Sequence, residues 1–300
     1  MDGRPRVSVL VPAYHSHETL PVFLDSLRNQ RFRRFEVIVV DSSPQDLVTP
    51  LLERYPEMRL HRHDGRLLPH QARNVAASIS CGDILVFTDP DCRAEPDWLE
   101  RLVEWHSQGR PAAGGAVAHE PGWWNAAVHF AKYPWWLPGG RAGERPEIPT
   151  ANASFSRRVW EEVGPFQGDR FAGDSHFSWR LHDAGYRVWF DPAAIVTHLD
   201  HVRPRAFMRE RFARGRDFGA LRGETRRWTR TMYALRLLAA PLAPLVMTAR
   251  NARYAAAAGQ IGGWISSLPI QLLGNTLWCA GELTAHLRAL RHPKPHSNAG

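Results

Sequence analysis

The chain has 300 residues, 44% of them hydrophobic, which is enough for one large α/β domain and an appendage. Its formal charge of +8 resides entirely between positions 201 and 236, where eleven arginines face only Glu210, Asp217 and Glu224. Cys81, Cys92 and Cys279 make no CxxC pair and no even framework, which excludes a disulfide scaffold and points to a reducing compartment. The short polar start, Met1 to Arg6, carries no signal-peptide pattern. No nucleic-acid motif accompanies the arginines, so no nucleic-acid partner is expected.

Val7 to Tyr14 reads as a first buried strand stopped at Pro12. Glu18 to Asn29 follows as an amphipathic helix with Leu20, Phe23, Leu24 and Leu27 on one face. A second strand, Phe35 to Val40, ends at Asp41. Near-continuous apolar strands separated by helices predict a parallel sheet covered on both faces. Asp41 is placed either to hold a nucleotide's base or ribose, or to make an Asx-turn or N-cap. Val48 to Tyr55 is a weak helix and Met58 to His61 a short strand. A helix beginning at His70 carries Arg73 near its N-terminus. That is a natural phosphate or carboxylate site, although surface arginines are common.

Ile84 to Thr88 is a short apolar run bounded by turn formers and reads as a central buried strand. Asp89 and Asp91 sit at its C-terminal mouth, where open α/β sheets hold their ligands, and Pro90 stiffens the step between them. Two oxygen-bearing side chains so spaced suit one hard cation; the competing role is an N-cap for the helix Pro96 to His106. Gly114 to Ala118 is the next strand. Trp123, Trp124, Trp135 and Trp136 then lie in an irregular stretch, as a sugar-stacking platform, a lipid-facing edge or loop packing. Thr150 to Ser156 is strand-like, and a helix ends at Val163. Asp174 opens a helix running to Gly185, as an N-cap or as a carboxylate at the floor of a site. Tyr186 to Phe190 and Ala194 to Val196 are late strands, the second leading into His198.

In the last third, Tyr233 to Thr248 is apolar apart from Arg236 and is broken by Pro241 and Pro244. Ala255 to Gly281 has no charged residue and is long enough to cross a bilayer, where about 20 apolar residues are needed. Transmembrane or re-entrant helices are expected here, with a buried helical hairpin or interfacial helices as alternatives. The arginines immediately before favour an anionic membrane surface on the cytoplasmic side. The expected division is 1–200 for the catalytic domain, 201–232 for the arginine-rich connection, and 233–300 for hydrophobic helices with a polar tail.

From Arg6 to about Arg216 the chain resembles the inverting family 2 glycosyltransferases of the GT-A fold. The resemblance is carried by VSVLVPAY, VIVVDSS, QARN, GDILVFTDPDC with PDWL, TANASFSRRVWEEVGPF, GDSHFSWRLHDAGYRV and the trailing His198, in that order. It implies a Rossmann-like, mostly parallel sheet with flanking helices, a nucleotide-diphosphate sugar donor and a divalent metal, Mn²⁺ or Mg²⁺. By the same resemblance, the main chain of Pro12, Ala13 and Tyr14 and the side chain of Asp41 hold the nucleotide. Arg73 lies near the phosphates or ribose. Asp89 and Asp91 match the family's DxD, with Asp91 the more direct metal ligand. Asp174 matches the catalytic base, His198 completes the metal or diphosphate site, and Arg211 or Arg214 clamps diphosphate. The apolar and arginine-rich segments, by placing the site near a membrane, point to a lipid-linked or bacterial envelope glycan as acceptor, reached from the cytoplasmic face.

Two departures stand out. Gly173 replaces the glutamate that often precedes the base, and Arg211 to Gly215 does not reproduce the QxxRW motif of processive synthases. The second departure points to transfer of a single sugar. A nucleotidyltransferase and a non-catalytic nucleotide-sugar-binding scaffold are the alternative functions.

Overall fold

The computed structural model describes residues 4–167, 171–199 and 202–291; the expected polar tail after 291 lies outside the described residues. The first half runs β1 (Val7–Ala13), α1 (Leu20–Arg28), β2 (Phe35–Asp41), a single turn α2 (Thr49–Leu52), β3 (Arg59–Arg62), α3 (Pro69–Ser78), β4 (Ile84–Thr88) and β5 (Cys92–Ala94). There follow α4 (Trp98–Ser107), β6 (Ala112–His119), α5 (Trp123–Lys132), β7 (Gly143–Arg145), β8 (Asn152–Ser156), α6 (Arg157–Val163), α7 (Gly173–Asp183) and β9 (Val188–His198). The described chain closes with α8 (Pro204–Thr225), α9 (Arg230–Ala239), α10 (Ala243–Ala257), α11 (Ile261–Ser266) and α12 (Leu268–Arg291).

All strands join one sheet in the order β3-β2-β1-β4-β8-β6-β9-β5, with β7 on β9. In β3-β2-β1-β4 every pair is parallel, in keeping with the near-continuous apolar runs of β1 and β4. One face buries Leu20, Phe23, Leu24 and Leu27 of α1 with Trp98 and Leu99 of α4. The other packs Phe87, Phe155, Trp160, Phe166 and Phe177 into an aromatic cluster beneath α3, α6 and α7. Because the parallel strands stand in register, Ala13 lies opposite Asp41 and Asp41 opposite Arg62, so three strand ends open on one edge.

Beyond β4 the sheet reverses: β8 is antiparallel to β4, and β6 is antiparallel to β8 but parallel to β9. Buried Asn152 pins this junction, accepting from Trp98 Nε1 at 2.8 Å and donating to the carbonyls of Ala116 and Ala194 at 2.8 and 2.9 Å. The two late strands expected from the sequence are one strand, β9. A register shift between Gly115 and Ala116 carries it past Pro192, and a Cβ on Gly115 would lie 1.8 Å from the Ala194 carbonyl oxygen. The short β5 pairs with the end of β9, setting Cys92 opposite His198.

The segment read as irregular holds α5 and β7. Its tryptophans are largely packed. Trp124 donates to the Val202 carbonyl at 2.7 Å, Trp136 to that of Glu147 at 3.2 Å, and Trp135 to Asn251 Oδ1 at 3.2 Å. Trp123 alone of the four is exposed.

The apolar run 255–281 is not one membrane-crossing helix, which corrects the spanning reading of that stretch. It breaks between α10 and α11 and again at Ser267. Among the described residues no single helix is long and apolar enough to cross a membrane. Only α9 with α10, bent by 76°, passes on length and composition together. The polar residues of α12 have protein partners: Asn275 donates to Thr248 Oγ1 at 2.9 Å, and Gln271 to Ser267 Oγ at 2.8 Å. Hydropathy does not separate such a buried helix from a lipid-facing one. α8 lies along α12 at backbone contact, where a Cβ on Gly215 would reach the Trp278 carbonyl oxygen at 2.2 Å.

Candidate active site

The turn after β4 presents Asp89 and Asp91 at the edge where the parallel strands end. Arg73, in the second turn of α3 and almost wholly buried, forms an ion pair with Asp89. On the far side His198 Nε2 stands 3.6 Å from Asp91 Oδ1 and 4.0 Å from Asp89 Oδ2. The Leu199 amide donates to the Asp91 carbonyl at 2.7 Å, fixing the two segments together.

Ligand atoms of Asp91, Cys92 and His198 all lie within 4.8 Å of one another. Burial, with Asp89 and Asp91 close by, pushes the Cys92 thiol well above its ordinary range, so it stays a protonated thiol and a poor ligand. What remains is two carboxylates and an imidazole, a donor set that suits Mg²⁺ or Mn²⁺. Tyr133 closes this corner, its ring 5.8 Å from that of His198; burial, with Asp89 nearby, holds its hydroxyl well above the usual value.

The nucleotide edge is formed by the ends of β1 and β2. Pro12 and Ala13 are buried, while Tyr14 is exposed beneath the Arg66 guanidinium, 4.6 Å from its ring centre. Asp41 is fully buried and makes the Asx-turn foreseen as its alternative role. Its Oδ1 accepts from the Ser43 amide at 3.0 Å and the Ser43 hydroxyl at 2.6 Å. Its other oxygen is paired with Arg62. Sequence reasoning missed Arg62, although its position beside Asp41 in the parallel register is a legible signal.

Asp174 lies in the first turn of α7, after Ala172 enters the left-handed region at φ 84°. Asp174 Oδ1 accepts from the Ser175 amide at 2.9 Å. The Ser175 hydroxyl donates to Glu147 Oε2 at 2.7 Å, and Trp179 Nε1 donates to Glu147 Oε1 at 2.9 Å. Burial raises the Glu147 carboxyl above its ordinary value, against those two hydrogen bonds. Glu147 was also missed, and no local pattern marks it.

Gly173 packs on the ring of His70, one turn before Arg73 on α3, so α3 ties the Asp174 helix to the Asp89 pair. Arg214 on α8 is held by Glu210, Nε to Oε1 at 2.8 Å. Desolvation lowers the Arg214 guanidinium, although its side chain is 44% exposed; Glu210, Tyr133, Asp174 and Asp89 outweigh it and the net shift is upward. Arg211 is buried, pushed down to about 10 by burial, and donates to the Gly274 carbonyl at 3.3 Å and Asn275 at 3.2 Å.

A nucleotide-type parallel sheet with an acid pair at the end of β4, where the strand direction switches, is the frame of a glycosyltransferase of the GT-A class. The family model for glycosyl transferase family 2 matches residues 8–159, and the chain belongs to that family. It is 30% identical over 203 residues to glycosyltransferase AglE of Haloferax volcanii, covering 65% of this chain and 67% of AglE. It is 26% identical over 262 residues to the O-antigen chain rhamnosyltransferase RfbN of Salmonella typhimurium, covering 79% of this chain and 83% of that protein. The fold matches that of the mannosyltransferase PcManGT from Pyrobaculum calidifontis, solved with GDP-Man and Mn²⁺. The TM-score there is 0.57 at 23% identity, over 90% of this chain and 87% of the other.

Proposed function

We propose that this glycosyltransferase moves one sugar from a nucleotide-diphosphate donor to an acceptor hydroxyl with inversion, using a divalent metal. The observation that carries the reading is the acid pair at the end of β4, with Arg73 paired to Asp89 and His198 Nε2 3.6 Å from Asp91 Oδ1. Pro12, Ala13, Tyr14 and Asp41 line the nucleotide's place, and Arg73 pairs with Asp89 and orients it. Asp91 and His198, with Asp89, hold the metal. When bound, that cation would supply the positive charge that neutralises a departing nucleoside diphosphate.

Arg214 adds a fixed positive charge at the same end. Asp174, across the gap, takes the proton from the acceptor hydroxyl as its oxygen attacks the anomeric carbon and the bond to the diphosphate breaks. Attack opposite the leaving group inverts the centre. Without the QxxRW pattern, and with Arg211 committed to α12, single transfer is favoured over chain growth. The relative RfbN is named for O-antigen chain synthesis, which supports an envelope or lipid-linked glycan acceptor met at the cytoplasmic face of a membrane.

The test is product analysis with a panel of nucleotide sugars and Mn²⁺. Nucleoside diphosphate and a glycoside of inverted configuration are expected. Pyrophosphate would assign a nucleotidyltransferase instead, and absence of any donor turnover would leave a binding scaffold.

A further inference from the structure

The helices α9 and α10 form an elbow that the rest of the molecule leaves bare. No residue of α9 is buried, and α10 buries only Thr248, Asn251 and Ala255. At the bend Leu238 is 79% exposed, Leu242 64% and Val246 62%, with Leu235 and Leu245 beside them. Five large exposed aliphatic side chains within twelve residues at the bend are the kind of apolar surface that marks an interaction site. Along the chain its own charge has a single sign. From Thr225 to Gly281 the sequence contains no Asp or Glu, while Arg226, Arg227, Arg230, Arg236, Arg250 and Arg253 all fall in it; of these Arg226 is paired to Asp183 at 3.4 Å.

A cleft of about 620 Å³ opens at the other end of α10, against the segment before and through β7. Arg141, Arg145 and Arg253 line it with Trp135 and Tyr254, and no carboxylate does. Arg145 lies over the Phe190 ring, 4.6 Å from its centre, and its Nε is buried with no hydrogen-bond partner. Val246 and Arg253 are two helical turns apart on the same side of α10, about 10 Å along the axis.

We propose that the α9–α10 elbow docks the enzyme in plane on an anionic phospholipid bilayer. Leu238, Leu242 and Val246 enter the acyl boundary, and a lipid phosphate sits in the Arg141–Arg145–Arg253 cleft. The elbow does not cross: its arms are about 15 and 22 Å long, against roughly 30 Å of hydrocarbon, and meet at 76°. Arg236, Arg250 and Arg253 within the arms belong at headgroup level. A patch with arginines and no acid complements an anionic lipid surface; a folded protein surface presents both signs. The proposal rests on the reading that the enzyme works at a membrane, and is independent of the sugar it transfers.

The full chain should float with vesicles of phosphatidylcholine and phosphatidylglycerol in equal parts, and much less with phosphatidylcholine alone. Leu238→Ser/Leu242→Ser/Val246→Ser should weaken partitioning by at least about a hundredfold. Arg141→Ala/Arg253→Ala should weaken it about tenfold or more, and only on the anionic vesicles. Both variants should keep the wild-type thermal shift with nucleotide sugar, which shows that they fold. If the wild type does not float, the membrane reading itself falls, while transfer to a soluble acceptor remains measurable. If the wild type floats and the serine variant floats equally, membrane association stands but the elbow is not its element. A concentration-dependent dimer dissolved by the serine substitutions, with no flotation, would give the patch to a second copy of the chain and overturn the proposal.

Discussion

Gly173 faces the ring of His70 so closely that a Cβ there would lie 3.2 Å from His70 Cγ. A side chain at position 173 fits only if His70 gives way by a few tenths of an ångström. The contact also seats the first turn of α7, and with it Asp174, against α3.

Gly173→Ala is therefore expected to destabilise the protein by about 1–2 kcal/mol through overpacking, read as a lowered unfolding midpoint. Gly173→Glu should cost more. Pairing Gly173→Ala with His70→Ala should restore part of the loss; strict additivity of the two single changes would show that they do not touch.

Glu147 braces the same helix through Ser175 and Trp179. Glu147→Ala should lower kcat with little change in donor KM, because it loosens the base without touching the nucleotide edge. The pH dependence has a definite sign. Burial raises this carboxyl above its ordinary 4.5, so the folded state favours the protonated form, and stability is lost as pH rises through the raised value. Relative to wild type, Glu147→Gln should gain stability as pH rises from 4.5 toward neutrality, as measured by chemical denaturation. A flat difference across that range would contradict the assigned burial.

His106 carries the opposite sign. Burial lowers it from 6.5 to about 4, and its Nε2 is 2.9 Å from Ser154 Oγ. Below 6.5 the unfolded chain takes up a proton that the folded chain refuses, so stability falls as pH drops toward about 4. The loss is up to about 3 kcal/mol at the low end, and His106→Asn should remove most of that slope.

Much of this architecture was legible in the chain itself, for physical reasons that are visible at particular residues. Val7 to Ala13 and Ile84 to Thr88 are buried throughout and apolar but for Ser8 and Thr88, because both their faces are covered, so the strands announce themselves, and Asp89 and Asp91 follow as strand-end acids. The parallel register places Arg62 beside Asp41 and could have been anticipated. Other features depend on folding at long range. Three residues of β5 carry too little pattern to read, yet they align Cys92 with His198. Glu147 reaches α7 from an unpatterned loop. Helix α5 was hidden because prolines and tryptophans around it resemble loop composition. The run 255–281 misled in another way: apolar helices look alike whether they face lipid or protein, and only the buried partners of Gln271 and Asn275 tell them apart.

The central claim is that Asp174 accepts the proton while Asp91 and His198 serve the diphosphate end. The most direct measurement compares Asp174→Asn with Asp91→Asn for donor binding and turnover in the presence of Mn²⁺. The account predicts that Asp174→Asn keeps the wild-type thermal shift with nucleotide sugar and loses transfer by about 10²–10⁴-fold. Asp91→Asn should lose the Mn²⁺-dependent part of that thermal shift as well as transfer. Near-wild-type turnover in Asp174→Asn, or an undiminished response to Mn²⁺ in Asp91→Asn, would contradict it.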